Sequence, residues 1–444
     1  MLAAMDEFAG DGACERARGA TRSPLVVLMG SGETSPTMVS VHRDVAARVQ
    51  SVSAVVLDTP YGFQENVAEI SERARQYFAR SVGLDVTVPS GLRGPVQTVR
   101  GAQDPDAGLA DMGLAALRGA DWVFAGPGSP TYALAHWRGG PVGEALADHV
   151  RTGRAAIVFA SAAACTLGAY AIPVYEIYKA GAPPQWLEGL DVLGLLGLKV
   201  AMIPHYDNAE GGTHDTRYCY LGERRLRFLE RDLADDAAVL GLDEHTAAII
   251  DVGRDLVEVR GRGVLTVRRR GASTVVPSGE TMSLSELRSL VRGAPVRRSR
   301  PEPVPVAATA PSVTLREIVN DCEERFERAI LDGDADAVVR AVLDIETAVV
   351  EWAGDTEEDE GGTAWARDVM RSLIVRLGQV AAGGLRDPRD ALASTVEPLV
   401  AVRAELRRSG SYPLADAIRD ALSAAGLELH DTPDGTQWGT GLHP

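Results

Sequence analysis

The chain of 444 residues is poor in cysteine and has no apolar run long enough to cross a bilayer. Its four cysteines are far apart and form neither a Cys-x-x-Cys motif nor a cluster with histidine; they are Cys14, Cys165, Cys219 and Cys322. This spacing argues against a disulfide framework and a zinc site, and free thiols fit a reducing cytoplasm. Because a membrane span needs roughly 20 apolar residues, we expect no membrane partner. From the cysteine pattern we expect a cytoplasmic protein, and we expect no metal or other cofactor.

Positive charge is also scarce, since the formal net charge is −17 and lysine occurs only at Lys179 and Lys199. Such an acidic balance argues against a general nucleic-acid coat and against binding to anionic membranes. The first residues mix acids, arginine and glycine without an apolar core, so they do not resemble a signal peptide. We expect residues 1–23 to be a disordered leader, and the length predicts two or three domains.

Between residues 24 and 291, short apolar runs alternate with patterns of helical spacing. Strands are predicted at residues 25–29, 53–57, 121–125, 155–159 and 200–203, and later ones at 247–252, 257–260 and 264–267. A hairpin through Gly261-Arg262-Gly263 would join the last two strands. The alternation predicts an α/β fold with a doubly wound, mostly parallel sheet that helices cover on both faces.

The segment AAIVFASAAACTLG, residues 155–168, changes abruptly from a buried strand to small residues around one hydroxyl. A sharp strand-to-helix turn needs small neighbours, and it lifts a serine Oγ to the carboxyl edge of a sheet, beside the free N–H groups of the next helix. Ser161 is therefore a candidate nucleophile. A buried serine in an alanine-rich junction is the alternative that these residues leave open.

Four clusters of polar residues or glycine follow predicted strands, at Gly30, Gly126, Ser161 and His205. Ligands bind outside the carboxyl ends of the strands in sheets of this kind, so we expect the clusters to meet at one edge of the sheet. Ordinary turns also favour glycine, proline and serine, which leaves a purely structural explanation open.

A serine nucleophile needs a base, and the base needs an orienting acid. His205 is preferred to His214 as the base, because a histidine directly after Ile203-Pro204 is more constrained than one in a glycine-rich loop. The candidate acids are Glu244 and Glu176, with Asp243 and Asp207 less favoured. N–H donors for a tetrahedral oxyanion are expected from Ala162 and from the loop at residues 126–129.

Four segments resemble, in the same order, the motifs of the peptidase E and cyanophycinase family, serine hydrolases with a class I glutamine-amidotransferase-like fold. The elbow around Ser161 resembles the GxSAGA box, and Gly126-Pro127-Gly128-Ser129 resembles the GGGN loop. Pro204-His205-Tyr206-Asp207 is similar to the histidine segment, and residues 241–247 are similar to the GIDExTA segment. The similarity covers residues 24–285 and implies hydrolysis of small peptides or amides, with a preference for those that contain aspartate.

Carried over residue by residue, the resemblance implies a role for each residue of a complete site. Ser161 would be the nucleophile, His205 the general base and Glu244 the orienting acid. The remaining residues are Glu176 as a further acid, Gly128 and Ala162 as the oxyanion hole, and Gly126, Asn208, His214 and Arg217 as contacts of the substrate. The Arg217 guanidinium suits a substrate carboxylate. The resemblance implies a reaction without a metal. Whether the chain forms a homo-oligomer is left open by the sequence.

Three positions depart from the family's motifs. Phe159 and Ala163 stand where glycines flank the family's serine, and Pro127 replaces the second glycine of the GGGN loop. These residues crowd the elbow, and Pro127 removes one N–H donor. A binding module that keeps the fold without catalysis is therefore the alternative to an active hydrolase. An amidotransferase using Cys165 is disfavoured, because Cys165 lies a helical turn past the elbow.

The last third of the chain has a different character. Residues 292–312 are rich in proline, alanine and arginine and predict a semi-rigid linker, and residues 313–444 predict a small helical domain. The string ADAIRDALSAAGLELHDTPDGTQW, residues 415–438, resembles the C-terminus of cysteinyl-tRNA synthetases, but the catalytic HIGH and KMSKS motifs are absent. Residues 301–444 carry 27 acidic and 13 basic side chains. Because RNA binders usually present a basic face, packing or protein contacts are favoured over tRNA as the role of this domain.

Overall fold

The computed structural model describes residues 23–51, 53–93, 107–211, 214–294, 313–353, 362–384, 388–432 and 435–440. Most of the predicted leader and most of the predicted linker lie outside these residues, so both stay predictions, as do the domain limits drawn from them. Within the described ranges, no helix is long and apolar enough to cross a membrane.

The first part of the described chain is a mixed α/β structure. In chain order its strands and helices are β1 (Leu25–Met29), α1 (Val39–Val49), β2 (Ala54–Leu57), α2 (Val67–Tyr77), β3 (Val86–Thr87), α3 (Ala107–Gly119), β4 (Trp122–Ala125), α4 (Pro130–Trp137), α5 (Pro141–Thr152), β5 (Ala156–Ala160), α6 (Ser161–Thr166), β6 (Tyr170–Ala171), α7 (Val174–Tyr178), β7 (Leu187–Glu188), β8 (Val200–Ile203), α8 (Gly222–Leu229), β9 (Ala238–Leu242), β10 (Thr246–Asp251), β11 (Leu256–Gly261), β12 (Val264–Arg269), β13 (Ala272–Pro277), β14 (Thr281–Ser283) and α9 (Leu284–Arg292).

Eight strands form one sheet in the order β14-β11-β10-β1-β5-β4-β2-β3. The five strands from β1 to β3 pair in parallel, whereas β10, β11 and β14 pair antiparallel. The sheet is therefore more mixed than the sequence predicted. The reason is the short connection between β10 and β11, because a few residues can join antiparallel neighbours but cannot carry a chain back to start a parallel strand.

A second sheet has the order β13-β12-β9-β8-β6-β7. It corrects two expectations, since β8 does not lie in the same sheet as β5, and β11 and β12 do not form a hairpin. The chain instead crosses from one sheet to the other at Gly261, where φ is +109°. A Cβ on Gly261 would lie 2.1 Å from the carbonyl oxygen of His245, so the crossing needs glycine.

The central strand β1 shows why the larger sheet is covered on both faces. Its side chains alternate between two separate apolar clusters, with Val26 and Leu28 in one and Val27 and Met29 in the other. All four side chains are fully buried. A continuous apolar run thus becomes a strand that contributes to two cores, and each such side chain stabilises the fold by about 1.5–3 kcal/mol relative to exposure.

The remaining described residues form helices and one short hairpin. These elements are α10 (Leu315–Asp332), α11 (Ala335–Trp352), α12 (Gly362–Gly384), α13 (Pro388–Arg408), α14 (Tyr412–Ala424), β15 (Leu427–Thr432) and β16 (Gly435–Thr440). By packing, the described residues divide into two compact units. The first runs to Asp321 and includes Asp344–Ala366, and the second contains Cys322–Leu343 and the residues from Arg367 onward.

The hairpin of the second unit is held by a buried arginine. Arg403, whose side chain is only 2% exposed, donates to both carboxylate oxygens of Asp431 at 2.7 and 2.9 Å and to Thr436 Oγ1 at 3.1 Å. Leu429 and Trp438 pack beside this pair in the apolar cluster of the unit. A bidentate arginine fixes both distance and orientation, so it aligns the hairpin on helix α13.

We expect Leu28→Ala to lower the free energy of unfolding of the first unit by about 2–5 kcal/mol, because it leaves a cavity in the centre of the larger sheet. Denaturant unfolding followed by tryptophan fluorescence measures the loss. Leu195→Ala removes the same atoms from a side chain that is 43% exposed, and this control should change the stability by less than about 1 kcal/mol. Equal losses in the two variants would contradict the assigned core.

Candidate active site

Ser161 sits at a strained strand-to-helix turn. Strand β5 ends at Ala160, and Ser161 begins α6 with a left-handed backbone, φ +46°. A non-glycine residue in this region is held there by its surroundings, at an expense of about 1–3 kcal/mol, and such strain concentrates at functional sites. The Ser161 residue is 9% exposed. The backbone therefore has the geometry of a nucleophile elbow.

Two departures from the family's motif fit this turn. The Phe159 ring is fully buried in the core, and its centre lies 5.7 Å from the ring centre of Trp137. Ala163 is fully buried, and its N–H donates to the carbonyl oxygen of Gly126 at 3.1 Å. Neither side chain therefore prevents the elbow from forming.

A continuous chain of hydrogen bonds joins Ser161, His205 and Glu244. Ser161 Oγ lies 2.9 Å from His205 Nε2, and His205 Nδ1 lies 3.0 Å from Glu244 Oε1. Because a carboxylate only accepts, Nδ1–H donates to Glu244, and the neutral ring then presents Nε2 as the acceptor for the serine hydroxyl. Residues that are 44 and 39 positions apart thus meet with the geometry of a nucleophile, a base and an orienting acid.

His205 reaches this position from the second sheet. It follows β8 with a left-handed backbone, φ +47°, and its N–H donates to the carbonyl oxygen of Gly30 at 3.3 Å. Gly30 follows β1 of the larger sheet. The meeting point therefore lies where the strand ends of two sheets adjoin, and not along the edge of a single sheet as expected.

The structure brings one of the four candidate acids to the imidazole. Glu244 accepts from His205 and also from the side-chain amide of Asn208 at 3.0 Å. Asp207 Oδ1 accepts from the backbone N–H of Glu244 at 2.8 Å, and Asp243 Oδ2 accepts from the N–H of Val264 at 2.9 Å. The two aspartates thus order the loop that presents Glu244.

Charge in this region shifts the pKa values of the base and the acid in opposite directions. Burial by itself would lower the pKa of His205, but the hydrogen bond to Glu244 and the charges of Cys219, Glu244 and Glu33 raise it to about 9. Burial would raise the pKa of Glu244, but the hydrogen bond from His205, its positive charge and the Asn208 amide lower it. The site therefore stabilises an imidazolium–carboxylate pair.

The loop at residues 126–129 lies beside the elbow and is built around Gly128. Gly128 has φ +131°, and a Cβ there would lie 2.1 Å from the carbonyl oxygen of Pro60. The N–H of Ser129 donates to the same oxygen at 2.8 Å. Neither Gly128 nor Ala162 donates its N–H to another described residue, so both amides can serve an incoming oxygen.

The residues predicted to contact the substrate differ in exposure, and one of them is buried. Asn208 is 1% exposed and its amide is engaged by Glu244, so it orients the acid and does not face a substrate as expected. Arg217 makes two hydrogen bonds with Asp215, at 2.8 and 2.9 Å. His214 is exposed and stacks on Tyr178, with ring centres 6.4 Å apart. Asp215 occupies Nε and Nη2 of Arg217, which leaves the N–H groups of Nη1 for a substrate carboxylate.

Glu176 lies outside the hydrogen-bonded chain of the site. It belongs to α7, and its Oε2 is buried without a hydrogen-bond partner among the described residues. The sequence analysis missed two other side chains. One is Asn208 as a partner of the acid, and the other is Glu33, which is fully buried beside Gly126. The segment at Gly30 was identified from the sequence because it follows a predicted strand, but no residue in this segment was given a role in the site.

Within the part of the chain that the structure describes, no three His, Cys, Asp or Glu side chains are grouped so that they could hold a metal ion. Cys165 and Cys219 are buried, and the N–H of Cys219 donates to the carbonyl oxygen of His205 at 3.0 Å. Cys219 thus helps to place the base through its backbone.

Comparison with known proteins gives partial matches. No protein-family model matches the chain. Cysteine–tRNA ligase of Halorhodospira halophila is 44% identical over 84 residues, which are 18% of each protein. The ligase of Thermosipho melanesiensis is 30% identical over 125 residues, which are 27% of this chain and 25% of the ligase. The chain thus spans about a quarter or less of these relatives, and the matches confirm the resemblance of its C-terminal segment.

Two solved structures are similar to the chain. A peptidase from an acI-B1 actinobacterium has a TM-score of 0.46 and 18% identity, covering 60% of this chain and 99% of that one. A Listeria monocytogenes EGD-e protein described as a peptidase E has a TM-score of 0.36 and 12% identity, covering 54% and 98%. TM-scores and identities this low carry no information on function, so the function of this chain is inferred from its own residues.

We expect the His205 imidazole to titrate near pH 9 and to titrate at lower pH in Glu244→Gln, which removes the charge that stabilises the imidazolium. NMR of histidine-labelled protein measures both values, with His205→Gln assigning the signal. Because the folded pKa exceeds the unfolded value of about 6.5, this pair stabilises the fold below pH 6.5 and loses that effect as the pH rises through about 9.

The buried His149 provides an internal control for this titration. Its Nε2 donates to the carbonyl oxygen of Leu117 at 2.8 Å, and its pKa is lowered by burial. Glu244→Gln should leave the His149 signal unchanged. A His205 signal that titrates at or below pH 6.5 in the unsubstituted protein would contradict the charge assignment.

Proposed function

We propose that the chain is a serine hydrolase of small peptides or amides, related in mechanism to peptidase E, with a doubly wound α/β architecture around its parallel strands. The observation that supports this proposal is the hydrogen-bonded chain from Ser161 through His205 to Glu244, with Ser161 in a left-handed turn. Three side chains of these types in this order form the arrangement that activates a serine.

The reaction follows from these contacts. Ser161 Oγ attacks the carbonyl carbon of the substrate while its proton passes to His205 Nε2, and Glu244 stabilises the imidazolium from the Nδ1 side. The N–H groups of Gly128 and Ala162 stabilise the negative oxygen of the tetrahedral intermediate. The carbon–nitrogen bond then breaks, and the amine leaves with the proton from Nε2. Water next gives a proton to His205 and attacks the ester, which releases the acid and restores the Ser161 hydroxyl.

The charge of the site predicts an alkaline dependence of the rate. His205 can accept the serine proton only in its neutral form, and its pKa is raised to about 9. The value of kcat/KM for an amide substrate should therefore rise roughly tenfold per pH unit below this pKa and level off above it. A profile that is flat between pH 6 and pH 9 would contradict His205 as the base.

The substrate class is part of the proposal. Relatives in the resembling family favour substrates with aspartate, and Arg217 is the described guanidinium proposed for such a carboxylate. Asp215 holds Arg217 through Nε and Nη2, and the remaining N–H groups of the guanidinium stay available for a substrate carboxylate. We therefore propose that Asp215 orients Arg217 and that the free N–H groups of the guanidinium bind the carboxylate of an acidic substrate.

Ser161→Ala should abolish hydrolysis of aspartyl peptides, reducing kcat by at least about a thousandfold, because no other hydroxyl replaces the nucleophile. A fluorophosphonate should label the unsubstituted chain once, at Ser161, as read by peptide mass spectrometry. Ser285→Ala is the control, because it removes an exposed hydroxyl and should leave rate and labelling unchanged. A folded protein that fluorophosphonate does not label would favour the binding module, and full activity of Ser161→Ala would exclude the hydrolase.

The similarity to cysteine–tRNA ligases supports a second candidate, a hydrolase whose C-terminal segment binds tRNA. The acidic balance of residues 301–444 favours packing or protein contacts instead. We therefore expect no binding of unfractionated tRNA at 20 mM salt, measured by fluorescence anisotropy. Binding that weakens steeply with added salt would overturn this expectation, because salt dependence is the signature of phosphate contacts.

A further inference from the structure

Phe63 and Tyr132 form an aromatic pair at the surface of the first unit. Their ring centres lie 5.4 Å apart, with an angle of 58° between the ring planes. Phe63 is 49% exposed, whereas four of the six phenylalanines in the described part of the chain are buried. Sites for small molecules are lined mainly by apolar and aromatic side chains, so the position of the aromatic pair relative to the nucleophile decides its meaning.

Both rings belong to segments that contact the loop at residues 126–129, which supplies the proposed oxyanion donor Gly128. The N–H of Tyr132 donates to Ser129 Oγ at 3.1 Å, where Ser129 caps helix α4. Phe63 lies three residues after Pro60, whose carbonyl oxygen accepts from the N–H of Ser129 at 2.8 Å. Hydrogen bonds therefore hold both segments to the loop that contains the Gly128 amide.

The larger sheet places the aromatic pair on the side of the nucleophile away from the base. Strands β1, β5, β4 and β2 are parallel neighbours in this order, so the residues that follow them line one edge of the sheet in the same order. Gly30 follows β1 and accepts from the N–H of His205, and Ser161 follows β5. Gly128 follows β4, and Phe63 follows β2. Along this edge, the base and the aromatic pair therefore lie on opposite sides of Ser161.

Two groups flank the carbonyl carbon of a bound substrate, and the loops offer a different partner to each. Arg217, proposed for the aspartate carboxylate, lies next to Tyr218, whose N–H donates to the carbonyl oxygen of Tyr206 at 2.9 Å. Tyr206 directly follows His205, so Arg217 belongs to the side of the base. With aspartate on that side, the next residue of the substrate extends toward the aromatic pair.

The charged groups near the aromatic pair are neutralised. His136 packs on Tyr132 with ring centres 4.5 Å apart, and burial together with the charge of Arg93 lowers the pKa of His136, so this ring is neutral near pH 7. Arg93 in turn forms an ion pair with Asp58 at 3.2 Å. A charged side chain would lose hydration here without gaining a partner, so the surroundings favour an apolar or aromatic one.

We propose that Phe63 and Tyr132 are specificity-determining residues, which bind the apolar or aromatic side chain of the residue that follows aspartate in the substrate. The subsite rests on the proposed function for the bond that is cleaved. It adds a substrate class to that function, namely aspartyl peptides whose second residue carries a large apolar side chain.

Two dipeptides that differ in their second residue test the subsite. For the unsubstituted chain we expect kcat/KM for aspartyl-phenylalanine to exceed that for aspartyl-alanine by roughly tenfold or more, since apolar pockets discriminate by such factors. Phe63→Ala should reduce this ratio at least about fivefold, mainly through a higher KM, because the ring binds substrate and transition state alike. Equal kcat/KM for the two dipeptides, or a ratio that Phe63→Ala leaves unchanged, would overturn the proposal.

Phe228→Ala is the matched control. Phe228 on α8 is 50% exposed, so this variant removes the same ring from a comparably exposed position and should leave the ratio and both rates unchanged. Tyr132 offers a second pair of variants, in which Tyr132→Phe should keep the ratio and Tyr132→Leu should lower it. A lower ratio in Tyr132→Phe would show that the hydroxyl is recognised, and it would contradict an apolar subsite.

A binding measurement separates the subsite from the proposed function. The inactive Ser161→Ala variant is titrated with L-phenylalanine amide while isotope-labelled phenylalanine rings are followed by NMR, with Phe63→Ala assigning the signal. We expect the Phe63 signal to shift, and we expect L-alanine amide to shift it much less.

The outcomes of the two experiments are distinct. A shifted Phe63 signal without any Ser161-dependent hydrolysis would contradict the proposed function and support the subsite. Ser161-dependent hydrolysis without a preference for aspartyl-phenylalanine would support the proposed function and overturn the subsite. A Phe63 signal that L-phenylalanine amide does not move would overturn the subsite whether or not the chain is a hydrolase.

Discussion

The buried imidazole of His205 is the constraint on which the rest of the site depends. It lies between the Ser161 hydroxyl at 2.9 Å and the Glu244 carboxylate at 3.0 Å. A ring held on both sides has one orientation, so every element that supplies a neighbour has to be fixed as well. The Asn208 amide fixes Glu244, and the carbonyl oxygen of Gly30 fixes the backbone of the histidine. The site is thus a network in which few members can move independently.

Backbone strain accompanies this network. Ser161, His205 and Gly128 all have positive φ, and the first two lack the freedom of glycine. Such conformations persist only where surrounding structure over-determines them. Here β5 is buried on both faces and β8 is a fully buried strand of the second sheet. The stability of two cores therefore holds a local geometry that an isolated loop would not keep.

The sequence predicted the parts of the site but not how the sheets join. The hydroxyl at Ser161 was predicted from the change from an apolar strand to small residues, and the choice of His205 over His214 from its position after a strand. Glu244 was one of several candidate acids until the motif resemblance singled it out. The second sheet, the role of Asn208 and the position of Glu33 were not predicted. Strand patterns identify β8 and β12 as apolar segments, but they carry no information on which neighbours these strands pair with. The mixed pairing at β10 was likewise decided by packing.

What the sequence determined by itself is local, because apolar periodicity, small residues around a turn and glycine at a positive φ act within a few residues of the chain. Tertiary structure decided that Ser161, His205 and Glu244 meet, because that depends on strands from two sheets adjoining across tens of residues. It also decided the pKa of the base, since burial lowers the pKa of His205 while Glu244 and the other charges that the fold brings to the imidazole raise it. The energy of an electrostatic interaction depends on the distance between the two charges in space. Residues that are far apart in the sequence reach a defined distance only when the chain is folded.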